Sequence, residues 1–118
     1  MDFDRWTVLF LRRREDAAEL DEKAGDTLQD AHLAYLARLH EDGRLVAAGP
    51  VEGSSDPKLA GICLFRVAAQ EARALAEADP AVRAGRLSID VLSWSVPRGA
   101  VVMGKSRFPR SMADVDTV

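Results

Sequence analysis

Hydrophobic and polar positions alternate along this chain with two different periods, and the order in which the periods change predicts its architecture. The stretch RWTVLFLR, Arg5 to Arg12, is apolar on both alternating faces, with Trp6, Val8 and Phe10 on one side and Leu9 and Leu11 on the other. A strand with one solvated face would carry polar residues at every second position, so this one is expected to be covered on both sides. Arg12 to Asp16 then reads as a charged turn. Its three consecutive arginines invite an anion-binding reading, but Glu15, Asp16 and Glu19 follow at once and favour a solvated loop.

A helical period takes over next, with two available starts. Asp21 as cap leaves Gly25 inside the helix, at a cost of about 1 kcal/mol relative to alanine. Asp26, with Gln29 three residues on, resembles a capping box. From either start the helix is expected to reach about Asp42, with Gly43 as a left-handed stop. Leu28, Ala31, His32, Tyr35, Leu36 and Leu39 fall on one arc, with His32 near its middle and His40 toward its edge.

Arg44 to Ala48 reads as a short strand closed by Gly49-Pro50, and Val51 to Lys58 as a loop with strong turn chemistry. Ala60 to Val67 is a second strand, apolar on both faces apart from Arg66. Ala69 to Ala78 is an alanine-rich helix with Ala72, Leu75 and Ala76 facing inward. Asp79 then caps a short turn, with Pro80 in first position and Gly85 as terminator. In the last strand, Arg86 to Val96, Leu87, Ile89 and Val91 share one face. Ser88, Asp90, Leu92 and Trp94 share the other, a mixed face that suits a pocket wall. From Pro97 the chain is a tail, whose Ala100 to Met103 run adds an edge strand, crosses a partner subunit or belongs to a mobile end.

The order β-α-β-β-α-β is the ferredoxin-like arrangement, an α+β fold with two helices on one face of a four-stranded antiparallel sheet. Residues 1–97 are expected to form the domain, and 98–118 an extension packing on a dimer partner. The second sheet face stays open in a monomer although its strands are apolar on both sides. Two sheets are therefore expected to associate face to face in a homodimer with a barrel-like interior, or in a higher homo-oligomer.

Composition narrows the function classes. With 118 residues, 47% hydrophobic and 30% charged, the chain fits one compact soluble domain. A net charge of −3 without a basic stripe argues against nucleic acid. No apolar run approaches the ~20 residues that span a bilayer, and acid precedes the apolar run of MDFDRWTVLFLRRRED, unlike a secretory signal. A cytoplasmic protein is expected. The single cysteine, Cys63, reads as a buried free thiol. His32 and His40 do not have zinc-ligand spacing, and no phosphate-binding glycine loop, nucleophile elbow or dinucleotide fingerprint occurs. No metal and no other cofactor is expected.

The antiparallel helices of this topology set the early part of the first beside the end of the second, which brings His32 toward Asp79. The strand ending at Gly49-Pro50 finishes at the same edge. A carboxylate bonded to an imidazole fixes its tautomer, and such a pair transfers protons at neutral pH with a typical gain of ~10²–10⁴-fold in rate. Gly49 would let the backbone approach a ligand, and Pro50 would stiffen the rim. Plainer readings stand beside these. A lone histidine on an apolar helix face is more often a satisfied core residue, Asp79 serves equally as a helix cap, and Gly49-Pro50 as a turn. Tyr35 and Trp94 fit core or dimer contacts, and Asp90 fits either a pocket acid or the partner of an arginine.

With those residues in view, the sequence resembles the YCII (YciI-like) family. The resemblance is carried by His32-Leu33-x-Tyr35-Leu36-x-x-Leu39-x-x-x-Gly43-x-Leu45, then Ala48-Gly49-Pro50. Gly61, the alanine-rich helix, Asp79-Pro80, Gly85 and the strand reaching Trp94 follow in order, so it spans about Trp6 to Val96. It implies a dimeric α+β barrel related to muconolactone isomerase-like proteins, with an active-site histidine and aspartate at His32 and Asp79. One member of the family is a dehydrochlorinase acting on a chlorinated hydroxyquinol. The segment from Arg13 to Gly25 is longer than in the shortest members, and the tail after Val96 is additional.

The expected function is a cofactor-independent small-molecule enzyme of isomerase or lyase type working in a dimer cleft. His32 and Asp79 are its expected catalytic residues, and Tyr35, Gly49, Pro50, Asp90 and Trp94 its expected substrate contacts. The alternatives are a non-catalytic ligand-binding dimer using the same cleft, a structural dimer in which His32 is packing, and haem binding through His32.

Overall fold

Changes of period in the sequence become element boundaries in the computed structural model, which describes residues 1–115. The elements are β1 (Phe3–Arg13), α1 (Glu22–Glu41), β2 (Leu45–Pro50), β3 (Leu59–Phe65), α2 (Ala69–Glu77), α3 (Pro80–Arg83), β4 (Leu87–Pro97) and α4 (Met112–Val115). Of the two starts available to α1, the chain uses the first. The Asp21 carboxylate accepts from the Ala24 N–H at 2.8 Å, which leaves Gly25 inside the helix. The helix stops where Gly43 takes φ +79. Its N–H donates to the His40 carbonyl at 3.0 Å, and the Arg44 N–H to the Leu39 carbonyl at 3.1 Å, closing a Schellman motif.

The four strands form one antiparallel sheet in the order β2-β3-β1-β4, the ferredoxin-like arrangement. In β1 the register pairs Leu9 with Cys63 and Val91, and Leu11 with Gly61 and Ile89, so these residues share the face covered by the helices. Leu9, Leu45 and Phe65 are 0–1% exposed there and anchor the core. Each contributes about 1.5–3 kcal/mol through burial. Ala72 and Ala76 bring α2 close to that core, as the smallness of its side chains requires.

The β2–β3 ladder is irregular at one position, and the irregularity decides which β2 side chains face the helices. Leu45 pairs with Phe65 but Ala47 pairs with Leu64, so Val46 is an extra residue in the ladder. A strict period of two would put Leu45, Ala47 and Gly49 on one face. The bulge instead turns Leu45, Ala48 and Pro50 toward the helices, opposite Phe65, Cys63 and Gly61. Pro50 is tolerated because β2 is an edge strand.

The other sheet face carries Trp6 opposite Trp94, and Val8 opposite Leu92 and Leu64. Leu92 and Trp94 remain 47% and 45% exposed, an apolar surface in this protomer. At its end Arg12 donates to Asp90 at 2.8 Å and pairs with Asp56.

The tail differs from the edge-strand expectation. Residues 98–111 have no regular structure. The segment leaves β4 beside Asp2 and Asp4, passes Met103 near Arg66, and reaches α1 of its own chain at His40 before ending in α4. A run of four apolar residues can pair as a strand only where an edge has free backbone groups in register, and here the chain turns at Gly99 instead. Residues 116–118 of the expected extension lie outside the described residues.

Two glycines should respond to alanine with opposite signs. A Cβ at Gly25 meets nothing within 4 Å, so Gly25→Ala gains only helix propensity. It should raise stability by about 1 kcal/mol. A Cβ at Gly61 would stand 3.0 Å from the Gly49 carbonyl oxygen across the β2–β3 ladder. Gly61→Ala should lower stability by roughly 1–3 kcal/mol. Urea midpoints of the two variants check both signs.

Cys63 supplies a pH test. Burial first, and the negative charge of Asp79 second, push its thiol up to about 12 from an ordinary 9.0. Between those values the unfolded chain has released a proton that the folded chain still holds, so stability falls as pH rises above 9.0. Native Cys63 should resist alkylation at about pH 8, and the loss of stability in mild alkali should be smaller in Cys63→Ala than in the parent.

Candidate active site

His32 and Asp79 are 47 residues apart in sequence and meet in the fold. The packing of α1 against α3 brings them together: His32 stands midway along α1, and Asp79 immediately precedes α3. His32 Nδ1 lies 2.7 Å from Asp79 Oδ2, with both residues buried, His32 to 8% and Asp79 to 2% exposure. The other carboxylate oxygen, Oδ1, accepts from the Ala81 N–H at 2.8 Å. The cap reading and the partner reading of Asp79 are thus both realised, one on each oxygen. Pro80 at the first helical position and Gly85 at φ +75 hold α3 to a single turn, which fixes the carboxylate in place.

This arrangement orients the imidazole. A carboxylate accepts, so Nδ1 carries the proton and donates it to Asp79. The second ring nitrogen, Nε2, has no hydrogen-bond partner among the described residues. The ring lines a cavity of about 660 Å³ between α1 and strands β1, β2 and β3. The remaining lining is largely apolar, with Leu11, Leu33, Leu36, Ala48 and Ile62 among it, so water in the cavity has few partners. Arg13 and Gln29 are its other polar side chains.

The negative charge of Asp79 reaches two further groups. Burial first and Asp79 second raise the Tyr35 hydroxyl above its ordinary pKa, and the same two causes act on Cys63. Among the described residues no three His, Cys, Asp or Glu side chains stand close enough to share a metal ion.

The structure sorts the expected site residues into two groups. His32, Gly49 and Pro50 line one cavity, with Asp79 behind the histidine. The other three lie elsewhere. Tyr35 donates its hydroxyl to the Leu75 carbonyl at 2.8 Å, fastening α1 to α2, and Arg38 lies over its ring. Asp90 and Trp94 occupy the opposite face of the sheet, Asp90 paired with Arg12 and Trp94 beside Trp6. The reason is the period of two in β4. Leu87, Ile89 and Val91 share the helix-covered face, and Asp90 and Trp94 fall on the other. They stand on the open sheet face and not among the walls of the cavity that His32 lines.

Other wall residues were not anticipated. Arg13 belongs with Leu9 and Leu11 by alternation, which extends the helix-covered face one residue beyond the apolar run. Of the three consecutive arginines, Arg12 pairs with Asp56 and Asp90 and Arg14 with Asp16. Among the described residues the Arg13 side chain reaches only the backbone carbonyls of Pro57 and Leu59. Phe108, Pro109, Met112 and Val115 come from the tail, where no periodic signal existed to assign them.

Comparison with known proteins agrees with this architecture. Protein YciI of Escherichia coli O6:H1 is 40% identical to the chain over 85 residues, covering 66% of this chain and 86% of the relative. Protein YciI of Shigella flexneri matches with the same identity and coverage. Among solved structures, the 5-chloro-2-hydroxyhydroquinone dehydrochlorinase of Burkholderia phenoliruptrix AC1100, in complex with 2,5-dihydroxybenzoquinone, superposes with a TM-score of 0.53 at 22% identity. That match covers 75% of this chain and 92% of the dehydrochlorinase, and it bears on the fold. The YCII-related domain matches residues 6–95, from β1 through the body of β4, and the chain belongs to that family.

Proposed function

We propose that the cavity is the active site of a small-molecule enzyme in which His32 acts as general base and acid. The observation that carries this reading is the buried 2.7 Å contact from His32 Nδ1 to Asp79, with Nε2 left unpartnered on a largely apolar cavity. With the proton held on Nδ1, the lone pair of Nε2 is available to accept a proton from a bound molecule. In an isomerisation the same nitrogen returns that proton to a different atom. In an elimination the electron pair freed by its removal expels a leaving group. Neither step needs a redox partner. The fold-related dehydrochlorinase, which binds a dihydroxybenzoquinone, makes oxygenated six-membered rings a reasonable first class of substrate.

The working unit in this reading is a homodimer. The open sheet face, with Leu92 and Trp94 about half exposed, offers the apolar surface that a second copy would cover. No helix among the described residues is long and apolar enough to cross a membrane, and a cytoplasmic location, the default for a chain with one buried cysteine, goes with this reading.

The test is a panel of phenols, hydroxyquinols and lactones assayed for both binding and conversion. A compound converted by the parent should be converted about 10²–10⁴-fold more slowly by His32→Gln, with binding largely retained. Full activity in His32→Gln would remove the acid–base role. Binding without conversion anywhere in the panel would instead favour a non-catalytic ligand-binding module.

A further inference from the structure

The family match ends at residue 95, yet part of the wall around His32 comes from beyond it. Phe108, Pro109 and Met112 line the same cavity as His32 and Gly49. They are held there by two anchors on α1. At one, the ring of His40 stacks on Phe108 with centroids 4.0 Å apart and 11° between planes. His40 Nδ1 lies 2.7 Å from the Leu45 carbonyl, and Nε2 lies 2.9 Å from the Ser106 hydroxyl. Nε2 also lies 3.2 Å from the Ser106 carbonyl, so Ser106 meets the ring through both its side chain and its backbone. At the other anchor, Asp30 accepts from the Met112 N–H at 2.8 Å. Between the two, Arg110 pairs with Glu41.

Asp30 and His40 bracket His32 along α1, so the tail is fastened on both sides of the stretch that presents the imidazole to the cavity. The first anchor is buried, with His40 only 6% exposed, and the second is part-buried. A stacked and buried histidine thus fastens the segment to α1. We infer that residues 106–112 are an access-determining wall of the cavity, in which Phe108 and Met112 control which molecules reach His32 Nε2.

This inference rests on the reading of the cavity as the working site, but it fails or stands separately. By supplying apolar side chains, the wall favours small, predominantly apolar molecules and keeps bulk water from Nε2. The Asp79 pairing is separate from it, since among the described residues that carboxylate is hydrogen-bonded by His32 and the Ala81 N–H.

The experiment is residue-resolved carbethoxylation of the full-length protein with diethyl pyrocarbonate, followed by mass spectrometry at His32. Phe108→Ala and Met112→Ala should each raise the rate of His32 modification several-fold. Glu71→Ala, exposed on α2 and outside the cavity lining, should leave it at the parental rate. Thermal melts establish that each variant is folded, and Met112→Ala carries the test alone if Phe108→Ala is not. A parental rate at His32 in the folded wall variants would overturn the inference, as would an equal rise in Glu71→Ala. Substrate turnover does not enter this readout, so a failed search for conversion leaves the result interpretable.

Discussion

One buried carboxylate does two jobs, and the site depends on its position. Asp79 Oδ1 closes the first turn of α3, and Oδ2 holds His32. A carboxylate with 2% exposure is tolerated only where its oxygens have donors, and these two donors come from different parts of the chain. The α1–α3 packing, the single-turn length of α3 and the rotamer of His32 are therefore linked. Shifting any of them leaves a buried charge short of a partner, which costs far more than an exposed one would.

The sheet contributes by aiming the remaining walls. The bulge at Val46 turns Pro50 toward the helices, and Gly61 lets the β2 backbone come within a distance that a Cβ would obstruct. Leu11, Cys63 and Leu87 then form a floor from three strands. The two faces of the sheet carry different groups. The helix-covered face holds the imidazole, and the open face holds Trp94, Leu92 and the Arg12–Asp90 pair.

Much of this was legible in the sequence, for physical reasons that can be named. Caps, prolines and left-handed glycines are local signals, so Asp21, Gly43, Asp79-Pro80 and Gly85 mark their elements correctly. The convergence of His32 on Asp79 followed from topology once the element order was known. Alternation in β4 correctly grouped Asp90 with Trp94, but a period of two says which residues share a face and not which face holds the cavity. Tyr35 sits on the same helical arc as His32, yet its hydroxyl is claimed by the Leu75 carbonyl, a contact with no sequence signature. The tail was least legible. Its fixed points, the Phe108–His40 stack and the Asp30–Met112 bond, are long-range pairings in a stretch without periodicity. His40 looked like the edge of an apolar stripe because the segment that buries it lies 66 residues further on.

The acid–base role proposed for the cavity depends on which nitrogen of His32 carries the proton. Long-range proton–nitrogen correlation spectra of ¹⁵N-histidine-labelled protein, recorded where the ring is neutral, read this directly. The prediction is a proton on Nδ1 and a bare Nε2, the tautomer enforced by Asp79. A proton found on Nε2 instead would mean that Asp79 does not hold the ring as described, and that the cavity does not face a base.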